Sequence, residues 1–171
     1  MAKSRHFWSS ATNEEGGNMT MKNRSDRFNI QEGFEISVQV PQLHAEPLLQ
    51  AIYPLYSLRY GDYDRVSFQS EIGIQRFRSL PGGRIAATEN VVEVPCVELS
   101  FFIHDQDCAR EVVQALYVKH PYEEPVILIR PALRSLNRAG MDEDNPNKFW
   151  NRPPEDWVPE VHRVEAPELK P

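Results

Sequence analysis

The chain has 171 residues, of which 40% are hydrophobic and 26% charged, with 14 prolines and a formal net charge of −6; this is room for one domain with a real core plus irregular tails, and tight for two. A net-acidic chain lacks the basic footprint that neutralises phosphates, which argues against nucleic acid as a partner, and no apolar run approaches the roughly 20 residues that cross a bilayer. Two cysteines, Cys96 and Cys108, are too few for a secreted disulfide framework, so the expectation is a cytoplasmic protein with free thiols and no membrane attachment.

Residues 1–33 contain polar strings such as Asn13-Glu-Glu-Gly-Gly-Asn18 with no sustained period, and predict a flexible N-terminal arm. At Phe34 a strict alternation begins that places Phe34, Ile36, Val38 and Val40 on one face of a strand. Pro41 stops it. Leu43, Leu48, Leu49, Ile52 and Tyr53 then recur at near-helical spacing, with Pro47 accommodated in the first turn, and Pro54 ends that helix. Val66, Phe68, Ile72, Ile74 and Phe77 predict a long strand bent at Gly73, or two strands joined there. After the Pro81-Gly-Gly83 turn, residues 91–104 predict the next strand, and a shift of apolar parity near Pro95 suggests a bulge or an edge. Asp105-Gln-Asp-Cys108 supplies the carboxylates that cap and begin a helix, with Val112, Val113, Leu116 and Tyr117 as its apolar stripe. Residues 126–129 form the last strand.

The order βαββαβ predicts an α+β, ferredoxin-like domain over residues 34–136, with four antiparallel strands and two helices on one face. Residues 137–171 make a Pro-rich, acidic C-terminal tail, in which Trp150 and Trp157 could pack on the body or on a neighbour.

His120-Pro-Tyr-Glu-Glu-Pro125, followed by the β-prone residues 126–129, resembles the signature at the same place in CutA-like proteins and in the domain inserted in Nif3-family proteins. Gly61-Asp-Tyr-Asp64, Phe68, Gly73 and Phe77-Arg78 are similar to the pattern after the first helix of the Nif3 insert. The likeness spans about a hundred residues. It departs from the family at Ser79, where proline is common, and at Ile85-Ala-Ala-Thr88, where a glycine pair is common. Nothing in the chain resembles the Nif3 domains that carry a two-metal centre, so hydrolase activity is not implied. CutA and PII proteins are trimers of ferredoxin-like subunits, and the resemblance implies a homotrimer whose inter-subunit clefts bind a small ligand.

Three constellations carry potential chemistry. His120, Glu123 and Glu124 offer nitrogen and oxygen donors for a divalent metal ion, although the same letters describe a rigid helix-to-strand joint anchored by Tyr122. His104 and Cys108 lie four apart at a helix start, where a thiolate would be stabilised and a soft metal held; an N-cap beside a small buried thiol explains them equally. Tyr63, Asp64, Arg76, Arg78 and Tyr122, with Arg65 and Arg84 nearby in sequence, could grip an anionic metabolite through guanidinium forks, against the simpler reading of arginines on a solvent-facing strand. There is no P-loop, dinucleotide fingerprint or nucleophile elbow, and no catalytic residue is nominated. The functional expectation is therefore a non-catalytic ligand-binding trimer, with a divalent metal ion as the favoured ligand; the alternative is a structural or protein-interaction module with no ligand of its own.

Overall fold

The computed structural model describes residues 25–160. The arm expected over residues 1–33 lies outside the described residues up to residue 24, and its last part is strand. Alternation of side chains and the β-branched run of Ile36, Val38 and Val40 build strand β1 (Phe28–Pro41), which starts six positions before the expected Phe34 because residues 28–33 find a partner far along the chain. A single 3-10 turn (Gln42–His44) leads into α1 (Ala45–Ile52), with Pro47 in its first turn as expected. Two short strands follow, β2 (Phe68–Gln69) and β3 (Gly73–Phe77), then β4 (Val92–Ile103), α2 (Gln106–Lys119) and β5 (Ile127–Asn137).

The sheet is antiparallel throughout, in the order β2-β4-β1-β5, with β3 also pairing β4. It therefore has five strands rather than four, because the expected bend at Gly73 divides one strand into β2 and β3. The topology is still that of a ferredoxin-like domain, with β2 and β3 occupying one edge position.

Register explains the core. Ile36 faces Phe101 and Val38 faces Leu99 across the β1–β4 ladder, so their side chains form one apolar face. Leu48, Leu49 and Ile52 of α1 and Ala109, Val112 and Leu116 of α2 close over that face in a single buried cluster. Each such Leu, Ile or Val contributes about 1.5–3 kcal/mol by leaving water. Two helical assignments differ from expectation. Leu43 is 89% exposed because it sits in the 3-10 turn ahead of α1, and Tyr117 is 49% exposed because the α2 stripe runs through Ala109 instead.

The parity shift near Pro95 is no bulge. The ladder to β1 ends at Cys96, opposite Pro41, and the ladder to β3 begins there, opposite Gly73, with no residue skipped in either, so from Pro95 to Val92 the β1 side of β4 is a sheet edge. What changes is the cover: residues 97–103 turn apolar side chains under the helices, whereas Val92, Val94 and Cys96 use the opposite face, where Phe77 and Tyr122 lie 5.9 Å apart.

The segment after β5 folds back on the start of the domain. Asp142 pairs with Arg27 and with Lys148, and accepts from the Asn145 amide at 3.1 Å. The Arg27 hydrogen bond, followed by that of Asn145, holds the Asp142 carboxyl down at about 2. Since its pKa is depressed on folding, the contribution of Asp142 is present above the ordinary carboxylate value of 3.8 and is lost as pH falls toward 2. Phe149 and Trp157 stack at 5.2 Å, in and beside the short 3-10 turns Phe149–Asn151 and Pro154–Asp156.

Two outcomes are expected. A Cβ at Gly33 would stand 2.5 Å from the Ile103 carbonyl oxygen and 2.7 Å from the His104 Cα, backbone that has little room to yield, so Gly33→Ala should cost about 1–3 kcal/mol in chemical denaturation. Asp142→Asn should expose residues 138–160 to limited proteolysis and red-shift tryptophan emission, while leaving the thermal midpoint of the sheet nearly unchanged; an unaltered digest would show that other contacts hold the tail.

Candidate functional site

The turn between α2 and β5 is built around one imidazole. His120 is 7% exposed; its Nδ1 accepts from the Tyr122 backbone N–H at 3.0 Å, which leaves the proton on Nε2 to be donated to the Gln39 carbonyl at 2.9 Å. Both nitrogens are thus engaged in the neutral ring. Burial pushes its pKa below 6.5, only partly opposed by the Gln39 hydrogen bond. Tyr122 stands edge-on to this ring at 5.1 Å and brings its hydroxyl within 3.9 Å of the Cys96 sulfur, which also reaches the Gln75 Oε1 at 3.5 Å. Burial, then the Cys96 contact, pushes the Tyr122 phenol up to about 12. Glu123 points away to Arg84, whose Nε lies 3.5 Å from its carboxylate, and Glu124 is exposed. The motif ties three strands and a helix together.

At the start of α2, Asp105 caps the helix by accepting from the Cys108 N–H at 2.8 Å. Cys108 packs against the core, and its thiol is pushed up rather than down, first by loss of solvent and then by the Asp105 carboxylate. The pull of the helix N-terminus toward a thiolate is outweighed first by that burial and then by the capping carboxylate, which stands in front of the same N–H groups. His104 turns to a different partner, with Nδ1 hydrogen-bonded to the Tyr56 hydroxyl.

These positions do not fit a divalent ion held by one chain. Among the described residues, no three His, Cys, Asp or Glu side chains come together to hold a metal. The anion-binding set is also dispersed. Arg76 pairs with Glu93 at 2.8 Å across the β3–β4 ladder, while Arg78 and Asp64 are exposed. Tyr63 lies instead beside Phe149, Trp150 and Trp157 of the C-terminal segment. Sequence reasoning missed Gln75 and Tyr56 as partners of Cys96 and His104, since neither carries a local signal. It also missed the use of Tyr63 by the tail, for which the isolated tryptophans were the available hint.

Comparison with known proteins brings the fold into focus. No family model and no curated protein matches the chain. Among solved structures, a Bacillus cereus protein related to NIF3 superposes with a TM-score of 0.51 at 27% identity, over 60% of this chain and 26% of that one. The two share a fold over that stretch. CutA1 from Shewanella sp. SIB1 aligns at 13% identity and TM-score 0.45, over 60% of this chain and 81% of that chain. The periplasmic divalent cation tolerance protein CutA from Archaeoglobus fulgidus aligns at 14% identity and 0.39, over 60% and 84%. This chain spans about a quarter of the length of the NIF3-related protein. No helix among the described residues is long and apolar enough to cross a membrane.

The His120 joint has a measurable signature. Folding lowers its pKa, so stability is complete above 6.5 and declines as pH falls through that value toward the lower folded one. His120→Ala should cost about 1–3 kcal/mol by leaving the Gln39 carbonyl and the Tyr122 N–H unpaired. It should also flatten the loss of thermal midpoint expected as pH falls below 6.5; an equally steep slope in the variant would assign the titration to another group.

Proposed function

We propose that the chain is a non-catalytic, CutA/PII-like homotrimer that binds a small ligand between its subunits. The observation that carries this reading is the offset of the ladders. Beyond Cys96 the sheet continues only as a β3–β4 ribbon, and beyond Gly33, at the opposite corner, only as a β1–β5 ribbon. A two-stranded ribbon is marginal alone in water. The first carries Ile74, 55% exposed, and the second Leu133, 44% exposed, and among the described residues each has an unpaired outer edge. Complementary edges at opposite corners favour a head-to-tail ring of copies. Beside β5, an apolar groove of about 250 Å³ along α2, bordered by Phe34, Val113 and Ile129, adds to the surface that such packing would cover.

A cleft between copies also suits the remaining donors. Glu123, Glu124 and the Nε2 of His104 would reach a divalent ion only as contributions from adjoining subunits, and Arg78 would face an anionic ligand in the same way.

Light scattering on the full chain should give three times the protomer mass, with Ile74→Glu and Leu133→Glu each shifting it toward one; a monomeric wild type would overturn the trimer. Calorimetric titration with zinc and copper ions should give saturable heat that Glu123→Gln with Glu124→Gln weakens. A trimer that takes up neither metal nor anionic metabolite would favour a structural or interaction module.

A further inference from the structure

The C-terminal segment builds a hollow that the ring-shaped assembly does not require. Tyr63 on the body and Phe149, Trp150 and Trp157 on the segment line a cavity of about 200 Å³, completed by Asn147 and Lys148. The four rings are between 43% and 69% exposed, an unusual concentration of aromatic surface to leave in water. Two of them already carry a cation on one face: the Lys148 ammonium is 5.3 Å from the Trp150 centroid, and the Arg152 guanidinium is 5.5 Å from that of Phe149. Both cations are balanced by carboxylates, Lys148 by Asp142 at 3.5 Å and Arg152 by Asp156 at 3.3 Å. The stretch from Met141 to Glu160 also contains Glu143, Asp144, Glu155 and Glu160, and Tyr63 is flanked by Asp62 and Asp64. The surroundings are therefore negative and the walls aromatic, with Phe149 and Trp157 stacked on each other and the rings of Tyr63 and Trp150 beside them.

We infer that this hollow is an aromatic cage for a methylated ammonium group, carried by a small organic cation or by a methylated lysine side chain. The chemistry follows from what the wall offers and what it lacks. Ring quadrupoles attract a positive charge most strongly when it sheds water easily. No carboxylate lines the cavity, and its side-chain acceptors are the Asn147 amide and the Tyr63 hydroxyl, so a primary ammonium would exchange its hydration for few neutral partners, whereas a trimethylammonium has no N–H to satisfy. The acidic surroundings draw the cation in at longer range. Lys148 acts as a resident competitor on Trp150, and this sets the sign of the decisive test. Removing its charge strengthens binding of a cation and weakens binding of an anion.

The probes are tetramethylammonium, choline, and a peptide containing trimethyllysine beside its unmodified counterpart, each titrated into the full chain. N-methyl proton resonances should move upfield under the ring currents, with saturable quenching of tryptophan emission. Trp150→Ala and Tyr63→Ala should each weaken binding about tenfold, and Lys148→Gln should strengthen it. Tyr63→Ala lies outside the tail, and circular dichroism of both variants checks folding. Binding of the trimethyllysine peptide well above choline would identify a protein-borne source of the cation; the reverse order would identify a free metabolite. The inference is overturned by the absence of any saturable shift, by binding indifferent to Tyr63 and Trp150, or by weaker binding in Lys148→Gln. Tighter binding of a nucleotide than of tetramethylammonium would overturn it as well.

Discussion

Every other element takes its place from the double pairing of β1. Its second half, from Phe34 to Val38, is hydrogen-bonded to β4 on one side and to β5 on the other, so the two neighbours cannot slide without breaking ladders that share one backbone. A slip of one residue would also turn Ile36 and Val38, both fully buried, to the opposite face. Once that register is set, the overhangs follow. β4 extends past the end of β1 toward Val92, and β5 extends past the start of the β1–β4 ladder toward Asn137. Gly33 sits where β4 departs, and its missing side chain lets the Ile103 carbonyl pass.

The second control point is the imidazole of His120. It joins the Gln39 carbonyl to the N–H of Tyr122, thereby fixing where α2 ends relative to β1 and directing the chain into β5. An exposed histidine with an open nitrogen would be a better ligand; a buried one with both nitrogens committed is a better fastener. A similar trade-off holds at the start of α2, where burial first and the capping Asp105 carboxylate second keep Cys108 from ionising.

Much of the fold was legible in the sequence because it depends on local signals. Alternation identified β1 and β4, Pro47 and Asp105 marked the helix starts, and Gly73 marked the break between β2 and β3. Residues 28–33 were missed as strand although Phe28 and Ile30 are in phase with Phe34 and Ile36, because Glu32-Gly33 interrupts the alternation and the pairing partners lie about a hundred residues away. Of the two readings offered for the parity change around Pro95, the edge agrees with the pairing and the bulge does not, since β4 loses β1 as a neighbour beyond Cys96. Site chemistry was harder still. Spacing placed His104 near Cys108 and grouped Tyr63 with arginines, whereas the side chains turned toward Tyr56 and toward the tail, and rotamer choice is not written in spacing.

Phe28 is opposite Asn137, and Arg27 is linked to both Arg138 and Asp142. Entry and exit therefore share one doorway. A unit with this geometry is portable: a host chain could open a surface loop, receive the whole module and continue with almost no gap to bridge. The NIF3-related protein, about a quarter of whose length aligns with this chain, is much longer than the module itself. Modularity of this kind needs no linker engineering, because the first and last strands of the module are each other's hydrogen-bond partners.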